Sequence, residues 1–393
     1  MIWIKESWLP GVLSKKQLKK VIDNGWIERV DNFEAACDHS SLDIHLDDEG
    51  FEMISGSFKP FGIDNYSDFL KNVQFAKPLS KNKNGEYQLE SSKTYVFKIR
   101  ERFSAQIKQS RIYAQATAKS SIGRMDVIAR LIVDGMHEYE YMDPTKLNTG
   151  YMYLEITPVT FNVKIKPGIS LSQIRLFFDP PENSIIPSSS ISEVVLSGGD
   201  HTDGTLSVDL SNINCGNKAA CAYKAIGVKQ NNKEFIQLWD KEFLDPEKYW
   251  ERLESEEIKG KVRFKIEPNE FYILRSKERI KLPKGVAVYC RAMDETLGEM
   301  RIHYAGFVHP FFGVDRVDHK VGTPLIYEVR GHNVSVNLGD KEKLAKLVFY
   351  RMSEDSEPIK KKKAGTSSDK NIYSEQELKL SKFFKDWPTA SKI

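Results

Sequence analysis

The feature that most constrains this chain is that it repeats itself. Leu154-Glu155-Ile156 is echoed by Tyr327-Glu328-Val329, 173 residues on, and at the same spacing Leu171-Ser172-Gln173-Ile174-Arg175-Leu176-Phe177 is echoed by Leu344-Ala345-Lys346-Leu347-Val348-Phe349-Tyr350. A third match, Ser41-Leu42-Asp43 with Ser207-Val208-Asp209, keeps the order at a spacing of 166. Three matches in one order predict a duplicated structural unit. The repeated runs are short and apolar, as are Thr94-Tyr95-Val96-Phe97-Lys98-Ile99, Val159 to Ile165 and Phe271-Tyr272-Ile273-Leu274. Turn residues separate them, as in Lys166-Pro167-Gly168 and Lys281-Leu282-Pro283-Lys284-Gly285. Many short strands at close spacing predict β-barrels or sandwiches rather than βαβ units.

A chain of 393 residues exceeds one ordinary core, so two domains are expected. The predicted division is 1–180, a Pro- and Ser-rich linker over 181–200, a second domain over 201–356, and a tail over 357–393 that follows Glu357-Pro358 and the Lys360–Lys363 run. The opening segment predicts a short helix capped by Ser14, with Leu18, Val21 and Ile22 on one face.

Composition excludes several classes. Hydrophobic and charged contents of 40% and 29% are those of a soluble globular protein, and a net charge of +3 is too small for a general binder of nucleic-acid polymers. No apolar run reaches the ~18 residues of a membrane span, and Met1-Ile2-Trp3-Ile4-Lys5-Glu6 lacks the layout of a signal peptide, so a cytoplasmic protein is expected. Cys37, Cys215, Cys221 and Cys290 form no Cys-x-x-Cys pair, and the His-x-Glu with Pro-Cys-x-x-Cys signature of zinc nucleobase deaminases is missing. Neither structural nor catalytic zinc is expected.

The run Lys119-Ser120-Ser121-Ile122-Gly123-Arg124 places two hydroxyls and a guanidinium within five residues, a compact donor set for an anion or a polarised water. Glu155, in an apolar strand-like run, adds a general base. This pattern resembles the dCTP deaminase branch of the dUTPase-like superfamily, in its long, duplicated form. The hairpin His303-Tyr304-Ala305-Gly306-Phe307 with Pro310-Phe311-Phe312-Gly313, and the tail Tyr373-Ser374-Glu375-Gln376-Glu377-Leu378, extend the resemblance over most of the chain. Singly, each segment reads as a turn, a cap or a docked helix; their joint order carries the resemblance.

The resemblance implies a mainly β fold of two tandem dUTPase-like barrels with short helices, and hydrolytic deamination of dCTP to dUTP and ammonia. It implies catalytic roles for Ser120, Arg124 and one of two carboxylates, Glu155 or Glu328, between which the sequence leaves the choice open. Substrate contacts are implied at Lys119, Ser121, Ala305, Gly306, Phe307 and His309, with Tyr373 and Gln376 closing over the nucleotide. Magnesium is implied as the companion of the triphosphate, and a homo-oligomer as the assembly. The second half lacks the serines and the arginine, while the first lacks the compact hairpin, which points to a composite site between the two. His309 stands where the family has Asp before Pro310, an imidazole able to titrate near neutrality. Alternatives are a dUTPase, a bifunctional deaminase and dUTPase, and a silent nucleotide-binding regulator.

Overall fold

The structure is a computed structural model, and it describes all residues except 1–7, 61, 63–64, 200–202, 228–233, 294–299, 304–305, 315–321, 358–376 and 390–393. Strands dominate and helices are few and short. The first half opens with α1 (Lys15–Asp23), where the Ser14 hydroxyl accepts from the Gln17 amide and the Gln17 side chain accepts from the Ser14 amide. This reciprocal capping box meets two of the donors that every helix start leaves unpaired. Leu18 and Val21 are buried, as their spacing predicts.

Seven strands of the first barrel position the site: β1 (Leu42–Ile44), β2 (Tyr95–Ile99), β3 (Ile112–Ala118), β4 (Val127–Val133), β5 (Tyr141–Met142), β6 (Met152–Pro158) and β7 (Ser172–Phe178). In one sheet β7 lies between Gly11–Val12 and β3, β3 is flanked by β5, and β1 also pairs with β7. In the other, β4, β6, β2, Leu46–Met53 and Ala76–Pro78 follow one another.

The second barrel repeats the plan with β8 (Thr205–Ser207), β9 (Ala222–Ala225), β10 (Phe271–Ile280), β11 (Val286–Ala292), β12 (Met300–His303), β13 (Phe307–Val308), β14 (Thr323–Gly331) and β15 (Lys343–Arg351). Here β15, β11 and β13 share one sheet with β8, and β9, β10, β14 and β12 run in sequence through the other. Register makes the duplication residue-specific. Glu155 lies opposite Val96 and Arg130, and Glu328 lies opposite Ile273 and His303. Buried Glu101 accepts from the His45 amide and pairs with its ring, while buried Glu278 accepts from the Ser207 amide and hydroxyl.

The third sequence match does not coincide with the structural one. Asp43 faces Gln173, whose counterpart Lys346 is faced by Thr205, four residues before the expected Asp209. A register shift between Leu206 and Ser207 accompanies the displacement. The stretch 181–200, expected as a linker, contains Ile185–Ile186 paired with β15 and the helix Ser188–Val195, whose Val195 is buried.

Of the four apolar clusters among the described residues, two are large. One, around Leu206, Leu274, Val288, Val329 and Leu347, belongs to the second barrel. The larger fills the first barrel and continues through Tyr223, Trp250, Phe271 and Ile273 into Leu378, Leu380, Phe383 and Phe384 of the tail. Burial of each such tail side chain contributes about 1.5–3 kcal/mol before ordering entropy. This is enough to hold an extended segment across the seam.

Candidate active site

After β3 the chain turns through a single helical turn, Ser120–Gly123, closed by the Arg124 amide on the Ser120 carbonyl at 3.0 Å. Ile122 is buried and anchors the turn, leaving Ser120 exposed and Ser121 half-buried. Arg124, itself buried, extends across the seam: its Nε lies 3.8 Å from Glu328 Oε1, and its Nη1 donates to the Lys379 and Leu380 carbonyls, each at 3.3 Å. Two residues further along each segment a second pair crosses in the opposite sense. The Arg330 guanidinium bonds to the fully buried Asp126 carboxylate and, at 2.6 Å, to the Thr160 hydroxyl. Arg124 and Asp126 therefore face Glu328 and Arg330 with reversed charges, a pattern that fixes one register between the barrels.

Glu328 is 5% exposed, and burial pushes its carboxyl up to about 8 against the opposing pull of the Arg124 guanidinium. Near neutrality such a group both takes and returns a proton. Glu155 sits in a different setting. It is fully buried and bound four times: Arg130 Nη2 and Nε donate to Oε1 at 2.5 and 3.1 Å, and the Ser57 and Tyr139 hydroxyls donate to Oε2 at 2.5 and 3.1 Å. The structure thus joins Arg124 to Glu328 and leaves Glu155 in an ion pair internal to the first barrel.

The hairpin of the second barrel lies against the first. The Gly306 carbonyl accepts from the Cys290 amide at 3.0 Å, and the Phe307 ring lies 4.1 Å from the Arg175 guanidinium carbon. Arg175, fully buried on β7, donates to the Val288 and Val308 carbonyls at 2.9 and 3.2 Å. Burial lowers its affinity for a proton to about 9. His309 Nδ1 is 3.1 Å from the Ser40 hydroxyl, and its Nε2 is 4.0 Å from Asp38. Burial pushes this imidazole well below its ordinary range, against the pull of Asp38. Titration near neutrality, expected from the sequence, does not hold.

Lys119 pairs with Asp43. Ser381 Oγ donates to the Ser121 carbonyl at 2.7 Å, and the Glu242 amide donates to the Lys382 carbonyl at 3.0 Å, so Lys382 stands between two lysine-bearing segments. Burial first, then the charges of Lys119 and Lys241, push its ammonium down to about 8. Ala305, Tyr373 and Gln376 lie outside the described residues. Among the described residues no group of three or more His, Cys, Asp or Glu is arranged to hold a metal ion, and no helix is long and apolar enough to cross a membrane.

Sequence reasoning missed Asp126, Arg330, Arg175, Lys241 and Lys382. One signal was available: Arg124 with Asp126, and Glu328 with Arg330, are oppositely charged pairs two residues apart, with the order of the charges reversed between the halves.

Comparisons with known proteins match both halves of the chain to one family. Residues 9–179 match the N-terminal domain of 2′-deoxycytidine 5′-triphosphate deaminase, and residues 186–384 match its C-terminal domain. The crystal structure of 2′-deoxycytidine 5′-triphosphate deaminase from Agrobacterium tumefaciens is 25% identical, with a TM-score of 0.75 over 88% of this chain and 97% of that one. No curated protein matches the chain. With both halves matched in order, and a β fold duplicated strand for strand, the chain belongs to the 2′-deoxycytidine 5′-triphosphate deaminase family and is a hydrolase of the deaminase class.

Proposed function

We propose that this deaminase works through a site shared by its two barrels, with Glu328 as the proton carrier and Arg124 as its partner. The family activity is hydrolytic deamination of dCTP. In that reaction water adds to C4 of cytosine, the ring nitrogen is protonated, and ammonia leaves to give dUTP. Ionised Glu328 takes a proton from water as its oxygen bonds to C4 and passes it to the ring nitrogen, then takes the proton of the C4 hydroxyl and passes it to the departing amine as the carbonyl forms. Arg124 holds the ionised carboxylate and the water, and the Ser120 hydroxyl hydrogen-bonds the water or the leaving ammonia. The observation carrying this assignment is the contrast between the two carboxylates: Glu328 is raised to about 8 with Arg124 at 3.8 Å, whereas Glu155 is bound by four donors.

Gly306 and Phe307, with Ala305, form the pyrimidine side of the pocket, and His309 the sugar side. Lys119, Ser121 and Lys382 form the phosphate side, to which Tyr373 and Gln376 are assigned as closing groups. A lysine-rich surface suits a polyphosphate rather than a bare cation, so magnesium enters with the triphosphate, held by phosphate oxygens and water. A cytoplasmic setting and a homo-oligomer complete the reading.

Product analysis with dCTP and magnesium, beside CTP, dCMP and dUTP, tests the activity; dUTP and ammonia from dCTP are expected. Formation of dUMP from dUTP indicates the bifunctional alternative, and binding without turnover the silent regulator. For the site, Glu328→Ala is expected to abolish turnover and Glu155→Ala to leave much of it. The reverse pair of results ends the composite assignment.

A further inference from the structure

The two barrels are built alike around Glu155 and Glu328, and their hairpins pair in the same register at Tyr141 and Phe307, the first hairpin being three residues longer before its closing glycine. The Ala116 amide bonds to the Glu140 carbonyl at 2.8 Å, as the Cys290 amide bonds to that of Gly306. Tyr141 lies opposite Gln115, as Phe307 lies opposite Tyr289. Both hairpins end at a positive-φ glycine, Gly150 at +79° and Gly313 at +69°, where a Cβ would collide with the Phe103 or Ile280 carbonyl. On this register Glu140 occupies the place of Gly306, and Tyr139 the place in sequence of Ala305. Where the second barrel's sequence has an alanine, the first has a phenol.

That phenol reaches Glu155, the carboxylate that corresponds to Glu328. Its hydroxyl donates to Glu155 Oε2 at 3.1 Å, its ring lies 4.2 Å from the Arg130 guanidinium carbon, and Ser57 Oγ is 3.1 Å from its oxygen. A six-membered aromatic ring directs a polar hydrogen at the buried carboxylate, as the exocyclic amine of cytosine would. Glu155 has both oxygens occupied and keeps no position for a reacting water.

We propose that the first barrel contains a second pyrimidine pocket, which the chain fills with its own Tyr139 ring, leaving one working site per chain. The pocket belongs to the chemical class of neutral aminopyrimidine rings. This rests on the reading of Glu328 as the substrate-facing carboxylate, since the equivalence transfers that reading to Glu155.

Removing the ring should leave a gap beside Glu155 that accepts its own missing piece. Calorimetric titration of Tyr139→Gly with p-cresol is expected to show about one molecule bound per chain, against none for the unaltered protein. Cytosine should displace it. A folded variant that binds no p-cresol, or p-cresol that cytosine cannot displace, overturns the proposal. Should Tyr139→Gly fail to fold, equilibrium dialysis of the unaltered protein with dUTP and magnesium decides: about one nucleotide per chain supports self-occupation, and about two refute it. The Glu328→Ala and Glu155→Ala turnover comparison fails or succeeds separately, so loss of the parent reading is recognisable without these titrations.

Discussion

Replacing Glu328 with Gln should remove activity and, at alkaline pH, raise stability. The carboxyl is ordinarily near 4.5 and is pushed up to about 8 by burial in the fold. Between these values the native state binds more protons than the unfolded one. Stability of the unaltered protein therefore falls as pH rises from about 4.5 to about 8, then levels off. With ~1.4 kcal/mol per unit, this group costs the fold on the order of 3–5 kcal/mol at pH 9. Glutamine keeps the shape and never ionises, so the variant should lose this part of the pH dependence and melt higher than the parent at pH 9. Its turnover should fall by about 10²–10⁴, the usual worth of a general base. The assay pairs denaturant unfolding at pH 5 and pH 9 with ammonia release from dCTP. In the parent, kcat/KM should climb about tenfold per pH unit below 8 and flatten above it. A variant less stable than the parent at pH 9, or one retaining activity within tenfold, refutes the argument.

Other expectations follow from the seam. Arg330→Met removes the charge partner of fully buried Asp126 and should destabilise by about 3 kcal/mol, read by urea unfolding. Glu377 bridges Arg275 and Arg279, so Glu377→Gln should loosen the strap and lower kcat several-fold with little change in melting temperature; Glu377→Asp should restore part of it. Because His309 is held neutral, the kcat/KM profile should show no break between pH 6 and 7, and His309→Asn should keep the profile's shape.

The 173-residue repetition was legible because strands display their buried faces every second residue, and equal faces demand similar residues in both copies. The Ser14 cap and the Ser-Ser-x-x-Arg turn were legible for a local reason: hydrogen bonds within four residues define them. The match at Asp209 failed because apolar-polar triplets recur in β proteins, and only pairing to β7 and β15 identifies Thr205 as the counterpart of Asp43. Pro and Ser over 181–200 describe local backbone preference, whereas the pairing of Ile185–Ile186 with β15 is a long-range event. The state of His309 depends on burial against a segment some 270 residues away, which no local pattern encodes. The equivalence of Tyr139 to Ala305 was hidden by the three extra residues between Pro144 and Gly150, compared with Pro310 and Gly313. The proposed choice of Glu328 over Glu155 rests on which arginine reaches each carboxylate, and that is decided by the docking of whole barrels.

The strap from Glu377 to Phe384 follows both barrels in the chain, yet it supplies the carbonyls that hold Arg124 and the apolar side chains that seal the seam. On the ribosome each barrel can therefore collapse as its own strands emerge, while Arg124 remains without its final acceptors until the last tenth of the sequence is made. Premature termination or C-terminal clipping is expected to remove the Lys379 and Leu380 carbonyls that hold Arg124. Vectorial synthesis thus orders the assembly: the seam that joins Arg124 to Glu328 is sealed by chain made after both barrels.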